Sequence, residues 1–107
     1  MKISVRDVGD AKVVEVDGDV DLGTSQQLRR TLFETLPVTA KLALNLAAIR
    51  YIDSSGIATL IEVLKDSQRL KMEFVLFGLS PAVLQVFRLT HVIRIFRAEE
   101  RRVGKEC

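Results

Sequence analysis

The spacing of apolar residues changes along the chain, and this change limits the possible folds more than any other feature. Residues 1–6 place an apolar side chain at every second position, which is the period of a half-buried strand. Leu28, Leu32 and Leu36 are instead four residues apart with polar residues between them, as in an amphipathic helix. The chain therefore combines a sheet with helices.

The same analysis extends over the whole sequence. It predicts five strands, at residues 1–6, 12–16, 42–46, 73–77 and 93–96. Three helices begin near Thr24 or Ser25, Asp53 and Ser80, which are residues that cap helices well. Pro37 is expected to end the first helix, and the Asp-Gly-Asp sequence at residues 17–19 to end the second strand in a turn.

These elements follow the order β-β-α-β-α-β-α-β, which predicts the α/β class. The short connection between the first two strands favours an antiparallel pair. The later strands alternate with helices and are expected to lie parallel, which gives a small mixed sheet. With 107 residues the chain fits one domain, predicted at residues 1–97, and the highly charged residues 98–107 are interpreted as a flexible tail.

Composition excludes several classes of function. The formal net charge is only +2, which does not favour binding to nucleic acid or to an anionic membrane. No apolar run reaches the roughly 18–20 residues that span a bilayer. Cys107 is the single cysteine, so no intramolecular disulfide or cysteine metal cluster is possible. We expect a cytoplasmic protein with no cofactor, no metal and no membrane insertion.

The sequence contains few of the residues and motifs that indicate catalysis. His91 is the only histidine, and no phosphate-binding glycine loop is present. Ser55 lies where a strand runs into a helix, as the nucleophile of a serine hydrolase does, but the G-x-S-x-G sequence around such a nucleophile is missing. We expect no enzyme activity, and a serine hydrolase is kept only as an alternative.

The most informative segment is Tyr-Ile-Asp-Ser-Ser-Gly-Ile at residues 51–57. A purely structural interpretation is available, since Asp53 is a good N-cap and Ile52 and Ile57 occupy the positions of a hydrophobic staple. However, a hydroxyl in the first helical turn projects from the carboxyl end of the preceding strand, where α/β proteins usually present functional groups. An exposed serine in this position is accessible to a partner.

This segment resembles the signature of the STAS domain family, which includes sulphate-transporter domains and anti-sigma-factor antagonists. Residues 18–21 (Gly-Asp-Val-Asp), 44–46 (Leu-Asn-Leu) and 78–83 (Gly-Leu-Ser-Pro-Ala-Val) resemble further family segments, in order and at matching spacing. The resemblance covers residues 1 to about 97. It implies a compact domain with helices packed mainly on one face of the sheet.

The resemblance also implies a function. In bacterial anti-sigma-factor antagonists the first serine of the signature, here Ser54, is phosphorylated by a kinase that is also the anti-sigma factor, and a phosphatase reverses the reaction. The unmodified domain binds the kinase and frees the sigma factor, and the phosphorylated domain releases it. The partner-binding residues implied here are Asp19, Asp21, Asp53, Ser55, Gly56 and Ile57.

Two further interpretations stay open at this point. A STAS domain can also act as a constitutive adaptor in a transporter or a stress-signalling complex, because the Ser54 hydroxyl permits phosphorylation without requiring it. The serine hydrolase is the third. For Asp21 and Asp53, a role in turns and caps competes with a role in partner binding.

Overall fold

The computed structural model describes residues 1–89, and the predicted strand at 93–96 and the predicted tail at 98–107 lie outside the described residues. Four strands and three helices are found in this part of the chain: β1 (Lys2–Val8), β2 (Ala11–Val20), α1 (Ser25–Thr35), β3 (Lys41–Ile52), α2 (Ser54–Arg69), β4 (Glu73–Phe77) and α3 (Pro81–Leu89). None of the helices within residues 1–89 is long and apolar enough to cross a membrane.

The strands form one mixed sheet in the order β1-β2-β3-β4. β1 and β2 are antiparallel, whereas β2, β3 and β4 are parallel to one another. The predicted mixed sheet with an initial antiparallel pair is thereby confirmed. Because β2, β3 and β4 are parallel, they all end at the same side of the sheet, which we call the carboxyl edge.

The core lies between one face of the sheet and the helices. Alternate residues of β2, β3 and β4 point to this face, and the apolar stripes of all three helices join them in a single buried cluster, which includes Val14, Val16, Leu28, Leu32, Leu42, Leu44, Leu60, Leu64, Phe74, Val83 and Phe87. The opposite face of β1 and β2 is polar, with Arg6 Nε 3.2 Å from Glu15 Oε1. The prediction that helices pack mainly on one face is therefore confirmed.

The turn predicted at residues 17–19 is wrong, because β2 continues to Val20. Gly18 adopts a positive φ of 120°, and the pairing with β3 shifts register on both sides of it, between Glu15 and Asp17 and between Gly18 and Asp19. These shifts absorb the two extra residues of β3, which has 12 residues against 10 in β2. The Asp-Gly-Asp sequence therefore marks an irregular strand, where glycine supplies a conformation that other residues rarely adopt.

The predicted helix ends are mostly confirmed. α1 ends at Thr35 and Pro37 lies in the 3₁₀ turn that follows, while Ser80 Oγ accepts a 3.3 Å hydrogen bond from the Val83 N–H at the start of α3. The N-terminus of α1 differs from the prediction. Thr24 occupies the N-cap position without a side-chain capping bond, and the preceding turn is instead held by Asp21.

Candidate functional site

Two segments meet at the carboxyl edge because β2 and β3 end side by side. Val20 pairs with Ile52 at the last position of the parallel register. One residue later, the Asp53 N–H donates a 3.0 Å hydrogen bond to the Val20 carbonyl. The loop from β2 to α1 is thus fixed next to the first turn of α2.

Asp53 organises this junction. Its Oδ1 accepts hydrogen bonds from the Ser55 N–H at 2.9 Å, the Gly56 N–H at 3.2 Å and the Ser55 hydroxyl at 2.5 Å. The predicted N-cap is confirmed, since these bonds satisfy amide groups that have no partner inside the helix.

These hydrogen bonds lower the pKa of Asp53 below its ordinary value. The Ser55 hydroxyl is the largest cause, and the backbone N–H groups of Gly56, Ser55 and Leu22 act in the same direction, against an opposing effect of desolvation. Each donor favours the charged carboxylate over the neutral acid. Asp53 is therefore an anion that connects the first turn of α2 with the loop after β2.

Ser54 and Ser55 differ sharply although they are neighbours. Ser54, the first residue of α2, is exposed, and its hydroxyl makes no hydrogen bond to any of residues 1–89. Ser55 is half-buried, and its hydroxyl is bonded to Asp53. Ser54 is thus exposed at the start of α2, and its phosphorylation stays a prediction. The site thus offers one free alcohol at the positive end of a helix dipole.

Asp19 and Asp21, two acidic residues of the predicted site, lie at the same edge, but their side chains make different contacts. Asp21 Oδ1 accepts hydrogen bonds from the Gly23 N–H at 2.9 Å and the Thr24 N–H at 3.1 Å, so its side chain holds the turn. Asp19 is exposed, with its Oδ1 4.0 Å from Arg50 Nε. The partner contacts predicted for both residues stay predictions.

Gly56 and Ile57, also predicted to bind a partner, lie inside the domain. Ile57 is 4% exposed and belongs to the core. A Cβ atom added to Gly56 would lie 2.7 Å from Cγ1 of both Ile52 and Val20. Gly56 therefore allows the first turn of α2 to pack directly against the ends of β2 and β3. This packing sets the position of Ser54, and direct partner contact by Gly56 and Ile57 is untested.

Two exposed apolar residues in the segments that meet at the carboxyl edge were missed by the sequence analysis. Leu22, in the loop whose amide contacts Asp53, is 77% exposed, and Tyr51, which pairs with Asp19 across the sheet, is 53% exposed. The available signal was an apolar residue placed inside the turn between Asp21 and Gly23. Large exposed apolar side chains that are grouped at one site are typical of interaction surfaces.

The fold and this site define a class. The family model of the STAS domain matches residues 2–103, and the chain therefore belongs to the STAS domain family. Among curated relatives, an anti-sigma-B factor antagonist of Listeria monocytogenes is 30% identical over 77 residues, which cover 70% of this chain and 67% of the relative.

Solved structures share the fold at lower identity. An anti-sigma factor antagonist from Mycobacterium paratuberculosis superposes with a TM-score of 0.81 at 22% identity, covering 89% of this chain and 81% of that one. The anti-sigma factor antagonist SpoIIAA is similar in its unphosphorylated form, with a TM-score of 0.73, 18% identity and coverage of 84% and 81%. The Bacillus SpoIIAA in its phosphorylated form superposes with a TM-score of 0.69 at 17% identity, and the match covers 83% of each chain.

The packing of Gly56 leads to a stability prediction. Gly56→Ala places a methyl group within 2.7 Å of two core side chains, so we expect the free energy of unfolding to fall by about 1–3 kcal/mol. Gly23→Ala is the matched control, because its added Cβ meets only the Asp21 carboxylate at 3.4 Å, and it should change stability by less than about 0.5 kcal/mol. Urea denaturation measures both, and equal midpoints would contradict the packing argument.

The lowered pKa of Asp53 leads to a prediction about pH. Because the folded pKa lies below the unfolded value of about 3.9, Asp53 contributes stability above that value and loses it as the pH falls through the folded pKa. Asp53→Asn should therefore be less stable than the parent chain at pH 7, with the difference shrinking below about pH 4. Urea denaturation from pH 7 to pH 2.5 measures this, with Asp17→Asn as the charge control. A difference that stays constant over this range would refute the assignment.

Proposed function

We propose that this protein is an anti-sigma factor antagonist that acts as a phosphorylation-controlled partner switch. Its unmodified form binds an anti-sigma factor that is also a serine kinase, and this binding frees the sigma factor. Phosphorylation of Ser54 by that kinase ends the interaction, and a serine phosphatase restores it. All of these partners act in the cytoplasm, which is the location we propose. The observation that carries the proposal is the free, exposed hydroxyl of Ser54 in a domain of this family.

The position of Ser54 makes phosphorylation compatible with the fold. A phosphoserine adds about −1.5 to −2 charges at pH 7. At the first residue of α2 this charge lies at the positive end of the helix dipole, an interaction of about 0.3–1 kcal/mol in favour of the folded state. Because Ser54 is exposed, the phosphate needs no space in the core. The modified domain is therefore expected to keep its structure.

Release of the partner then follows from local charge and bulk. A phosphate about 6 Å from a carboxylate of the partner is repelled by roughly 4–5 kcal/mol at an effective dielectric constant of 20, before salt screening. Reversing an equilibrium from 1:99 to 99:1 requires about 5.5 kcal/mol. Repulsion and steric conflict at Ser54 together supply a change of this size, so no rearrangement of the domain is required.

The surroundings of Ser54 support a protein partner. Exposed Leu22 and Tyr51 provide apolar area, and Asp19 and Asp53 provide negative charge for basic groups of the partner. Protein interfaces commonly combine an apolar centre containing aromatic residues with a polar rim. The carboxyl edge therefore has the composition of a docking surface.

The lowered pKa of Asp53 favours a binding function over a catalytic one. The Ser55 hydroxyl donates to this carboxylate, but a carboxylate with a lowered pKa is a weak general base. His91, the other group a serine hydrolase would use, lies outside the described residues. We therefore propose that Ser54 accepts a modification and that neither serine of this site catalyses a reaction.

The switch is tested by two substitutions of Ser54. Ser54→Ala should bind the anti-sigma factor persistently in the presence of ATP, and Ser54→Asp should bind at least about tenfold more weakly because it adds a charge at the docking surface. Calorimetry measures the affinities and circular dichroism checks the fold. The control is Gln85→Asp, which places the same charge at an exposed position of α3. Equal affinities of the two Ser54 variants would argue against the charge mechanism.

The docking surface is tested separately with Leu22. Burying a leucine side chain in an interface contributes about 1–2 kcal/mol relative to alanine, so Leu22→Ala should weaken binding roughly five- to thirtyfold. Val38→Ala is the matched control, since Val38 is 67% exposed but precedes β3, at the opposite edge of the sheet. Equal effects of the two substitutions would exclude Leu22 from the interface.

A further inference from the structure

The site contains two neighbouring hydroxyl groups, and the structure gives them different chemical states. Ser54 Oγ is exposed and unbonded within residues 1–89. Ser55 Oγ donates a 2.5 Å hydrogen bond to Asp53 Oδ1. A kinase that docks at the carboxyl edge therefore meets one free alcohol and one that is held by an anion.

We propose that Asp53 determines which serine is phosphorylated, by holding the hydroxyl of Ser55 and leaving Ser54 as the only acceptor. This inference rests on the proposed phosphorylation of the site. It assigns to Asp53 a specificity-determining role in addition to its role as helix cap. It also implies that Ser55 becomes an acceptor when the negative charge of Asp53 is removed.

The chemistry of phosphoryl transfer explains the effect. The serine oxygen forms a bond to the γ-phosphorus of ATP, the bond from that phosphorus to the β–γ bridging oxygen breaks, ADP leaves, and the hydroxyl proton passes to a base of the kinase. For Ser55 to pass its proton to the base of the kinase, its hydroxyl must first leave Asp53. Loss of a charge-assisted hydrogen bond disfavours that step by roughly ten- to hundredfold.

The product is disfavoured as well. A phosphate on Ser55 would place its dianion within hydrogen-bonding range of the Asp53 carboxylate, where like charges repel strongly. Asp53 cannot easily turn away, because its Oδ1 also accepts the N–H groups of Ser55 and Gly56. A carboxylate is a far weaker base than an alkoxide, so Asp53 holds the Ser55 proton in a hydrogen bond without removing it.

The test uses the full chain, ATP and an extract of the native cells as the source of kinase, with phosphorylation sites mapped by tandem mass spectrometry. In the Ser54→Ala variant we expect no phosphate on Ser55. In Ser54→Ala/Asp53→Asn we expect phosphate on Ser55 at a level at least tenfold above the detection limit of the measurement. Asparagine is about as good an N-cap as aspartate, so this substitution keeps the helix start and removes only the charge.

The control is Ser54→Ala/Asp17→Asn, which loses the same charge from the exposed part of β2 and is expected to leave Ser55 unmodified. Two results would overturn the role of Asp53. One is phosphate on Ser55 in Ser54→Ala alone, and the other is the absence of phosphate on Ser55 in Ser54→Ala/Asp53→Asn. Absence of phosphate on Ser54 in the parent chain would instead contradict the proposed function.

A second measurement needs no kinase. Titration by NMR should show that Ser55→Ala raises the pKa of Asp53 towards its ordinary value, whereas Ser54→Ala leaves it unchanged, because only Ser55 donates its hydroxyl to this carboxylate. An unchanged pKa in Ser55→Ala would mean that the hydroxyl of Ser55 is not held, which overturns the inference even if Ser54 is phosphorylated.

Discussion

The parallel pairing of β2 with β3 is the constraint on which the site depends. The two strands end together, and the hydrogen bond from the Asp53 N–H to the Val20 carbonyl carries their alignment one residue beyond the sheet. α2 then starts at a fixed place next to the loop that leads to α1. If the register moved by one residue, the inward and outward faces of the strand would exchange and the core would be lost. Formation of the core and placement of Ser54 are therefore coupled.

The helix start adds the second level of organisation. Gly56 lets the first turn of α2 approach Ile52 and Val20 closely, and Asp53 closes that turn by accepting its amide groups. Gly56 is required for packing and Asp53 for capping. The structural interpretation of residues 51–57 therefore explains these two residues. The exposed hydroxyl of Ser54 serves neither packing nor capping, and it is the group to which we assign the proposed modification.

The sequence predicts the element order because this order depends on local periodicity and on capping residues, whereas the choice of Ser54 over Ser55 rests on the resemblance to the STAS signature. The amphipathic spacing of Leu28 and Leu32 and the N-cap at Asp53 are properties of short segments. The continuation of β2 through Gly18 could not be predicted in this way. It depends on pairing with the longer β3, and the same Asp-Gly-Asp sequence would form a turn without that partner. The exposure of Leu22 likewise depends on how the loop is held by Asp21 and Asp53, which follow two different strands, β2 and β3.

The double role of Asp53 links stability to the choice of acceptor. A helix cap needs an oxygen that accepts amide hydrogens, and serine, threonine or asparagine could provide one in place of aspartate. Only aspartate adds a full negative charge, which tightens the bond to the Ser55 hydroxyl and repels a phosphate placed there. The charge of Asp53 therefore has two consequences: it stabilises the start of α2, and it favours Ser54 over Ser55 as the acceptor that we propose. Asp53, the N-cap of α2, is thus also the residue that we propose to distinguish the two hydroxyl groups.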